Sequence, residues 1–268
     1  MTESVQTFDP QSCSINLEAA FEANLSLYDA EDQCKIALHQ KFRNYIGVWE
    51  YGYYFLSLAI KHTSLDRSYG IIAAYFSEAM TSLRAAFLSN LHGYQSDSIN
   101  DLRRVHDSAV RSLALRHKPR RLEKIIQSSG LQSFHNQLGL YSLNDLYNVP
   151  SSFTHGNKLK IIETWRKINA KELTAIDYGC QKNEQKFSYS AKVSIFWLYF
   201  LIRIVPILFE KQVNSYWLEN QHESLRFLKD YLLVTKSSLA DNCNELESAL
   251  LKLDFTIETP KIKAESLI

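Results

Sequence analysis

The sequence predicts an all-α fold, an antiparallel helical bundle of about six or seven helices with one loop-rich insert. Glycine and proline are scarce, at 8 and 5 of 268 residues, so the chain has few turns and long elements. Apolar residues recur at three- and four-residue spacing over most of the chain, which is typical of helices with one buried face. A composition of 46% hydrophobic and 22% charged residues excludes collagen-like and disordered chains.

The first predicted elements follow an N-terminal tail over 1–15. A long helical periodicity covers 31–62, and a second helix is expected over 67–92. Gly93 follows it where helices commonly end in a glycine. A third helix is expected over 96–118, since Pro119 cannot continue it.

Glycine and proline concentrate after this third helix, so 119–187 is expected to form an insert of short helices and loops. The insert includes a small hairpin at 159–165 and 173–178. Helices resume over 188–214 and 222–253, and 256–268 form a C-terminal tail. Residues 16–255 are therefore expected to form a single helical domain.

The most apolar stretch, Val193 to Phe209, is short for a bilayer span of about 20 residues. It also contains Arg203 and Pro206, and arginine at mid-bilayer costs about 2.5–3.5 kcal/mol. We therefore expect a buried core helix kinked at Pro206, with a membrane segment as the alternative.

A leucine recurs every seven residues in the last predicted helix, with Thr235 and Asn242 among the residues that follow three positions later. Such a heptad pattern predicts a homodimer through a zipper, with packing against the chain's own bundle as the alternative. The repeated residues are Leu225, Leu232, Leu239, Leu246 and Leu253.

The chain is expected to be cytoplasmic with reduced thiols, because no basic and apolar leader opens it. No membrane segment is expected, because the apolar stretch is interpreted as a core helix. No metal and no cofactor are expected. Glu219 and His222 form the one Glu-x-x-His pair, whereas a di-metal bundle needs two such pairs and two more glutamates. The four cysteines lack zinc-site spacing: Cys13, Cys34, Cys180 and Cys243.

Positive charge concentrates between Arg103 and Lys124, where eight Lys and Arg residues face two acids, a balance of 8 − 2 = +6. Such a run suits contacts with the phosphates of RNA. The alternative is a solvated face partly neutralised by the acidic N-terminal segment. The candidate nucleic-acid contacts are Arg104, Arg111, Arg116, His117, Lys118, Arg120, Arg121 and Lys124.

The helix over 96–118 carries polar residues beside its apolar stripe. His106 falls on the stripe itself and is interpreted as a core histidine. Arg103, Asp107 and Arg111 are spaced by four, which places them in a row with the acid between two cations.

Several short motifs then resemble prokaryotic all-α families of uncharacterised function. In those families a helix ends in Gly-Tyr, as at Gly93-Tyr94, and the next helix carries Leu-Arg-Ser-x-x-Glu, which Leu102-Arg103 and Asp107 resemble. A later Ser-x-x-x-His-Gly resembles residues 151–156. Some of these families are distantly similar to HEPN domains, helical modules common in toxin–antitoxin and phage-defence systems.

The resemblance implies a metal-independent ribonuclease, because many HEPN proteins cleave RNA with an arginine and a histidine separated by four to six residues. This chain departs from the pattern: Arg104 stands where serine is usual, and no arginine closely precedes His155. Arg111 and His117 have the HEPN separation but fall on different faces of a helix.

The predicted catalytic site brings His155 from the insert onto Arg103 and Asp107. A histidine can move protons at neutral pH, an arginine can hold a phosphate, and the carboxylate can orient either one. In the alternative, the chain is a non-catalytic helical scaffold or adaptor that binds a protein partner from the same operon, and Arg103–Asp107 is a structural pair.

Overall fold

The structure, a computed structural model, describes residues 17–61, 70–118, 134, 184–210, 213–253 and 255. These residues form seven helices and no strand, which confirms the all-α prediction. The predicted tails over 1–15 and 256–268 lie outside the described residues. So does the insert, apart from Phe134 and the start of the next helix, and the hairpin prediction falls there too.

The predicted helix over 31–62 is two helices, α1 (Leu17–Lys41) and α2 (Arg43–Lys61). Helical hydrogen bonding continues across the junction, where the Phe42 N–H donates to the Leu38 carbonyl at 2.8 Å. The Phe42 ring packs on Phe187 with 4.5 Å between ring centroids, so the junction points an aromatic side chain into the bundle. Neither glycine nor proline marks this junction.

The helices α3 (Gly70–Leu91) and α4 (Gln95–His117) form a hairpin close to its predicted bounds. Gly93 takes a φ of 87°, a left-handed conformation that glycine adopts without strain. The Tyr94 N–H bonds to the Ser89 carbonyl at 2.8 Å and the Gly93 N–H to the Asn90 carbonyl at 3.2 Å. These two bonds form a Schellman cap, which satisfies the last carbonyls of α3.

The helix α5 (Glu184–Phe209) is the centre of the bundle and packs against α2, α3 and α4. It is the one helix in the described part of the chain that is long and apolar enough to cross a bilayer. Of its most apolar 18-residue window, 78% is buried inside the bundle. The prediction of a core helix is thereby confirmed.

Pro206 lies inside α5 and leaves a backbone carbonyl without its helical hydrogen bond. Proline has no N–H, so the carbonyl of Ile202 lacks its usual helical partner. Gln221 supplies the replacement, since its Nε2 donates to the Ile202 carbonyl at 2.7 Å. Near the end of α5, Arg116 Nε donates to the Ile207 carbonyl at 3.0 Å. Polar side chains of α6 and α4 therefore bond to backbone carbonyls in the last turns of α5.

The predicted helix over 222–253 is wrong as a continuous element. The structure has α6 (Ser215–Val234) and α7 (Leu239–Lys252), which pack on each other and on α5. Between them Lys236 takes a φ of 51°, and the Ser237 N–H bonds to the Leu232 carbonyl at 2.9 Å. A second Schellman cap, with lysine in the glycine position, thus ends α6.

The leucine zipper is wrong for the same reason, because the turn at 235–238 interrupts the heptad pattern. Leu232 and Leu246 have no exposed surface and pack inside their own bundle. Asn242 is also buried, with 7% of its surface exposed. The alternative of packing within the chain is confirmed, and the homodimer remains a prediction without this zipper.

Candidate functional site

The helix α4 is enclosed by α3 and α5 on most of its circumference, so its polar residues contact other protein groups. Arg103, His106 and Asp107 form one hydrogen-bonded group, the α4 cluster. Asp107 is its centre: its Oδ2 accepts from Arg103 Nε at 3.2 Å and its Oδ1 contacts His106 Nδ1 at 2.9 Å. The Arg103 and Asp107 side chains keep 14% and 23% of their surface exposed.

The pairing of Arg103 with Asp107 follows from their four-residue spacing, as the sequence predicted. The hydrogen bond between His106 and Asp107 could not be predicted from spacing, because adjacent helical residues normally point in different directions. The imidazole is held by Trp197 of α5, whose ring meets it edge-on at 5.4 Å between centroids. His106 is the buried core histidine that the sequence predicted, and its membership of the cluster depends on packing that the sequence pattern does not reveal.

The ionisation of the cluster follows from burial and charge. Burial lowers the pKa of His106 below its usual value, and the nearby Asp107 carboxylate only partly opposes this. Burial disfavours ionisation of Asp107, but the hydrogen bond from His106 and the charge of Arg103 outweigh it and hold that pKa below its usual value. At neutral pH the cluster is therefore a carboxylate between a guanidinium and a neutral imidazole. Because a carboxylate can only accept, His106 Nδ1 carries the proton.

The row continues along α4 with contacts to α3. The Arg111 guanidinium lies 5.8 Å from the centre of the Tyr75 ring, a cation–π geometry. Ser108 donates to Glu78 at 2.8 Å. Arg111 thus lies against an aromatic side chain of the neighbouring helix.

The predicted nucleic-acid contacts are in different environments. Arg104 is exposed, with 72% of its side-chain surface free, and lies 3.6 Å from Asp101. The ring of His117 lies between two aromatic rings, 5.6 Å from Phe134 and 5.7 Å from Phe255. Lys118 caps the C-terminus of α4 through its N–H, which bonds to the Ala114 carbonyl. Of these three, Arg104 is the one that faces solvent.

Arg116 is buried, which corrects its prediction as a nucleic-acid contact. Its side chain is 1% exposed, and it bonds to the Glu210 carboxylate and to the Ile207 carbonyl. A guanidinium that is buried against a carboxylate and a backbone carbonyl is used inside the bundle and is not presented to a phosphate. Arg116 is therefore a structural residue.

The remaining predicted site residues lie outside the described residues. They are the candidate catalytic His155 and the candidate nucleic-acid contacts Arg120, Arg121 and Lys124. Among the described residues, no group of three or more His, Cys, Asp or Glu side chains is arranged to hold a metal ion.

Comparisons of the chain with protein-family models, with curated proteins and with solved structures give no match. A guanidinium fixed by a carboxylate can bind a phosphate and stabilise added negative charge on it. The buried imidazole behind it can fix the carboxylate, because it lies too deep to reach a bound substrate.

Proposed function

We propose that this chain is a HEPN-like helical protein of a prokaryotic defence or toxin–antitoxin system and that it cleaves RNA without a metal ion. The observation that carries the proposal is the α4 cluster: Arg103 and Asp107 are paired and partly exposed, with a neutral histidine fixed behind them. These two residues belong to the Leu-Arg and Asp positions of the family resemblance, which supplies the biological setting.

In this proposal the reaction is transfer of an RNA phosphate to its own 2′-hydroxyl. The 2′-oxygen bonds to phosphorus and its proton goes to a base, while the bond from phosphorus to the 5′-oxygen breaks and that oxygen takes up a proton. His155 moves these protons, because histidine titrates near neutral pH. The products are a 2′,3′-cyclic phosphate and a 5′-hydroxyl.

Arg103 is assigned to the phosphate in this scheme. Its charge stabilises the negative charge that develops on the phosphate oxygens as the new bond forms. Asp107 fixes the guanidinium through Nε, and His106 in turn fixes Asp107 through Nδ1. His106 is therefore a positioning residue, since its side chain is buried and acts through Asp107.

Binding of the RNA backbone is assigned to lysine and arginine residues on and after α4. Arg104 is exposed on α4, and Lys118 lies at the end of that helix. Arg120, Arg121 and Lys124 follow directly in the sequence. Contacts of this kind hold phosphates without reading bases, so we expect weak sequence preference and strong salt dependence.

Cleavage of RNA by the purified full chain in the presence of EDTA tests this proposal. We expect cleavage that leaves 2′,3′-cyclic phosphate ends, and loss of cleavage in Arg103→Gln and in His155→Ala. Arg84→Gln and His39→Ala are matched controls, because both residues are exposed and lie on other helices. Each variant is compared with the wild type by thermal unfolding, so that loss of fold is separated from loss of chemistry.

Two results would contradict the proposal. One is cleavage that stops when EDTA is added, since the site as assigned uses no metal. The other is cleavage by Arg103→Gln and His155→Ala at the wild-type rate. Induced expression gives a cellular readout, where the wild type is expected to arrest growth and both variants are not.

A second candidate function is a non-catalytic scaffold that binds a protein partner. The observation that favours it is the internal use of polar groups on α4, above all the burial of Arg116 against Glu210. If it holds, wild-type protein leaves RNA intact, and Arg103→Gln alters thermal stability without altering growth. The same set of variants therefore separates the two functions.

A further inference from the structure

A groove of about 640 Å³ opens beside α5, on a surface built by α6 and α7. Its volume is within the range of small-molecule sites, about 300–1,000 Å³. Three cations, one carboxylate and the imidazole of His222 line it together with apolar side chains. The lining residues that carry a full charge or an aliphatic side chain are Arg203, Leu218, Leu225, Arg226, Lys229 and Glu247.

The groove is held in shape by hydrogen bonds between helices. Glu247 of α7 accepts from Arg203 Nε at 2.7 Å and from the Tyr199 hydroxyl at 2.8 Å, both on α5. Gln221 of α6 bonds to the carbonyl that Pro206 leaves without a helical partner. The three helices are thereby fixed relative to one another before any ligand arrives, which lowers the entropic cost of binding.

The charges that line the groove are unbalanced. Arg203, Arg226 and Lys229 face one acid, Glu247, which gives 3 − 1 = +2 when histidine is counted as neutral. That acid is already engaged with Arg203 and Tyr199. The acids of α6, namely Glu219, Glu223 and Asp230, are exposed and do not line the groove. A ligand with two negative charges would neutralise this excess.

Two of the cations are placed to receive such a ligand. Lys229 Nζ donates to the neutral Asn244 side chain at 2.6 Å, which positions the ammonium without compensating its charge. No carboxylate among the described residues pairs with Arg226, which is exposed at the rim of the groove. Arginine and lysine together supply the forked and the point-like donors that bind phosphate.

We propose that this groove binds a small organic phosphate, a phosphomonoester with an apolar body. The phosphate lies on Arg226 and Lys229, and the apolar body packs on Leu218 and Leu225. A phosphomonoester carries close to two negative charges near neutral pH, which matches the charge excess. This site is separate from the α4 cluster and does not depend on the proposed RNA cleavage.

Calorimetric titration of the full chain with phenyl phosphate tests the proposal, and inorganic phosphate and benzoate serve as comparison ligands. We expect saturable binding of one phenyl phosphate per chain. Inorganic phosphate should bind more weakly than phenyl phosphate because it lacks the apolar body. Benzoate should also bind more weakly, because it carries only one negative charge. Absence of saturable binding through the millimolar range overturns the proposal, as does benzoate binding as tightly as phenyl phosphate.

Variants locate the ligand in the groove. Arg226→Gln combined with Lys229→Gln should weaken phenyl phosphate by about tenfold or more, because charge-assisted hydrogen bonds are lost. Lys252→Gln removes an exposed lysine of α7 and should leave the affinity unchanged. Unaltered affinity in the double variant, with unaltered thermal stability, places the ligand elsewhere and overturns the assignment.

The apolar contact is tested by comparing ligands on one variant. Leu225→Ala should weaken phenyl phosphate while leaving inorganic phosphate unchanged, since inorganic phosphate has no body to pack on this residue. Equal losses for both ligands would contradict the placement of the apolar body on Leu225. Because the two ligands are measured on the same protein, a general loss of stability cannot produce the difference.

Discussion

Two ion-pair clusters with the same chemistry lie on α5 and its neighbours. In the α4 cluster, Asp107 accepts from an arginine Nε on one oxygen and from the neutral His106 on the other, at 3.2 and 2.9 Å. In the second group, the α7 cluster, Glu247 accepts from Arg203 Nε and from the Tyr199 hydroxyl, at 2.7 and 2.8 Å. Each carboxylate thus joins a guanidinium to a neutral ring donor.

The two clusters differ in how the chain brings them together. The α4 cluster lies within one helix, whereas Arg203 and Glu247 are 44 residues apart and join α5 to α7. A pair within one helix can form whenever that helix forms, but a pair between helices forms only with tertiary structure. The α7 cluster therefore contributes to the arrangement of the bundle, and the α4 cluster mainly fixes the orientation of its own side chains.

The largest expected effect concerns Trp197, which packs on the imidazole of the α4 cluster. Its ring is completely buried, so Trp197→Ala should lower the free energy of unfolding by about 3–5 kcal/mol. Urea titration measures this loss. Tyr216→Ala is the control, since Tyr216 is 69% exposed and should change stability by no more than about 0.5 kcal/mol. Equal effects of the two substitutions would contradict the central position of α5.

The next effect is a dependence of stability on pH near neutrality, which we expect from the α4 cluster because it contains a buried histidine. The pKa of His106 is lowered in the folded state, chiefly by burial, so below its ordinary pKa of about 6.5 the unfolded chain binds a proton that the folded chain does not. Stability should therefore fall as the pH drops below about 6.5, by at most about 1.4 kcal/mol per pH unit for one proton.

Substitution of His106 tests this assignment. In His106→Gln, the contribution of this group to the slope of stability between about pH 6.5 and the folded-state pKa should disappear. The matched control is His39→Gln, which replaces an exposed histidine of α1 and leaves the buried imidazole in place. An unchanged slope in His106→Gln would show that His106 is not the buried group that titrates.

A smaller effect measures the difference between a pair within a helix and a pair between helices. Double-mutant cycles give the coupling energy of each pair, with Gln replacing Arg and Asn or Gln replacing the acid. We expect about 1 kcal/mol or more for Arg203–Glu247 and about 0.5 kcal/mol for Arg103–Asp107. The shorter contact and the tertiary requirement both favour the first pair. Coupling that is stronger in the α4 pair would reverse the comparison.

The α4 pair and the hairpin that contains it could be predicted from sequence because their causes are local. Gly93 supplies the left-handed residue that a helix end needs, and its φ of 87° confirms that role. Pro119 predicted the other end of the helix, which the structure places at His117, and a spacing of four places Arg103 beside Asp107. These rules depend on a few neighbouring residues, so the sequence alone predicts the outcome.

The features that sequence did not predict depend on distant residues. Arg116 belongs to a basic run, yet its guanidinium is bonded to Glu210, 94 residues along the chain. His106 reaches Asp107 because Trp197 of another helix packs on its ring. The break between α6 and α7 lacks glycine and proline, so the leucine pattern continues through it without a signal. In the first two cases the deciding contact is tertiary, and in the third the turn forms at residues that carry no turn signal.

The smallest effect tests this unmarked turn, which brings Glu247 of the α7 cluster to α5. Lys236 occupies the left-handed position of the cap at a φ of 51°, where a residue with a Cβ is strained and glycine is not. Lys236→Gly should therefore raise the free energy of unfolding by about 0.5 kcal/mol, measured by urea titration.

In a continuous helix over 222–253 the same change would lower the free energy of unfolding by about 1 kcal/mol, because glycine is a poor residue in a helix interior. Lys229→Gly is the matched control, since Lys229 lies inside α6 and should show that loss. The sign of the Lys236→Gly effect thus decides between a turn and a helix, and a loss equal to that of Lys229→Gly would restore the continuous heptad.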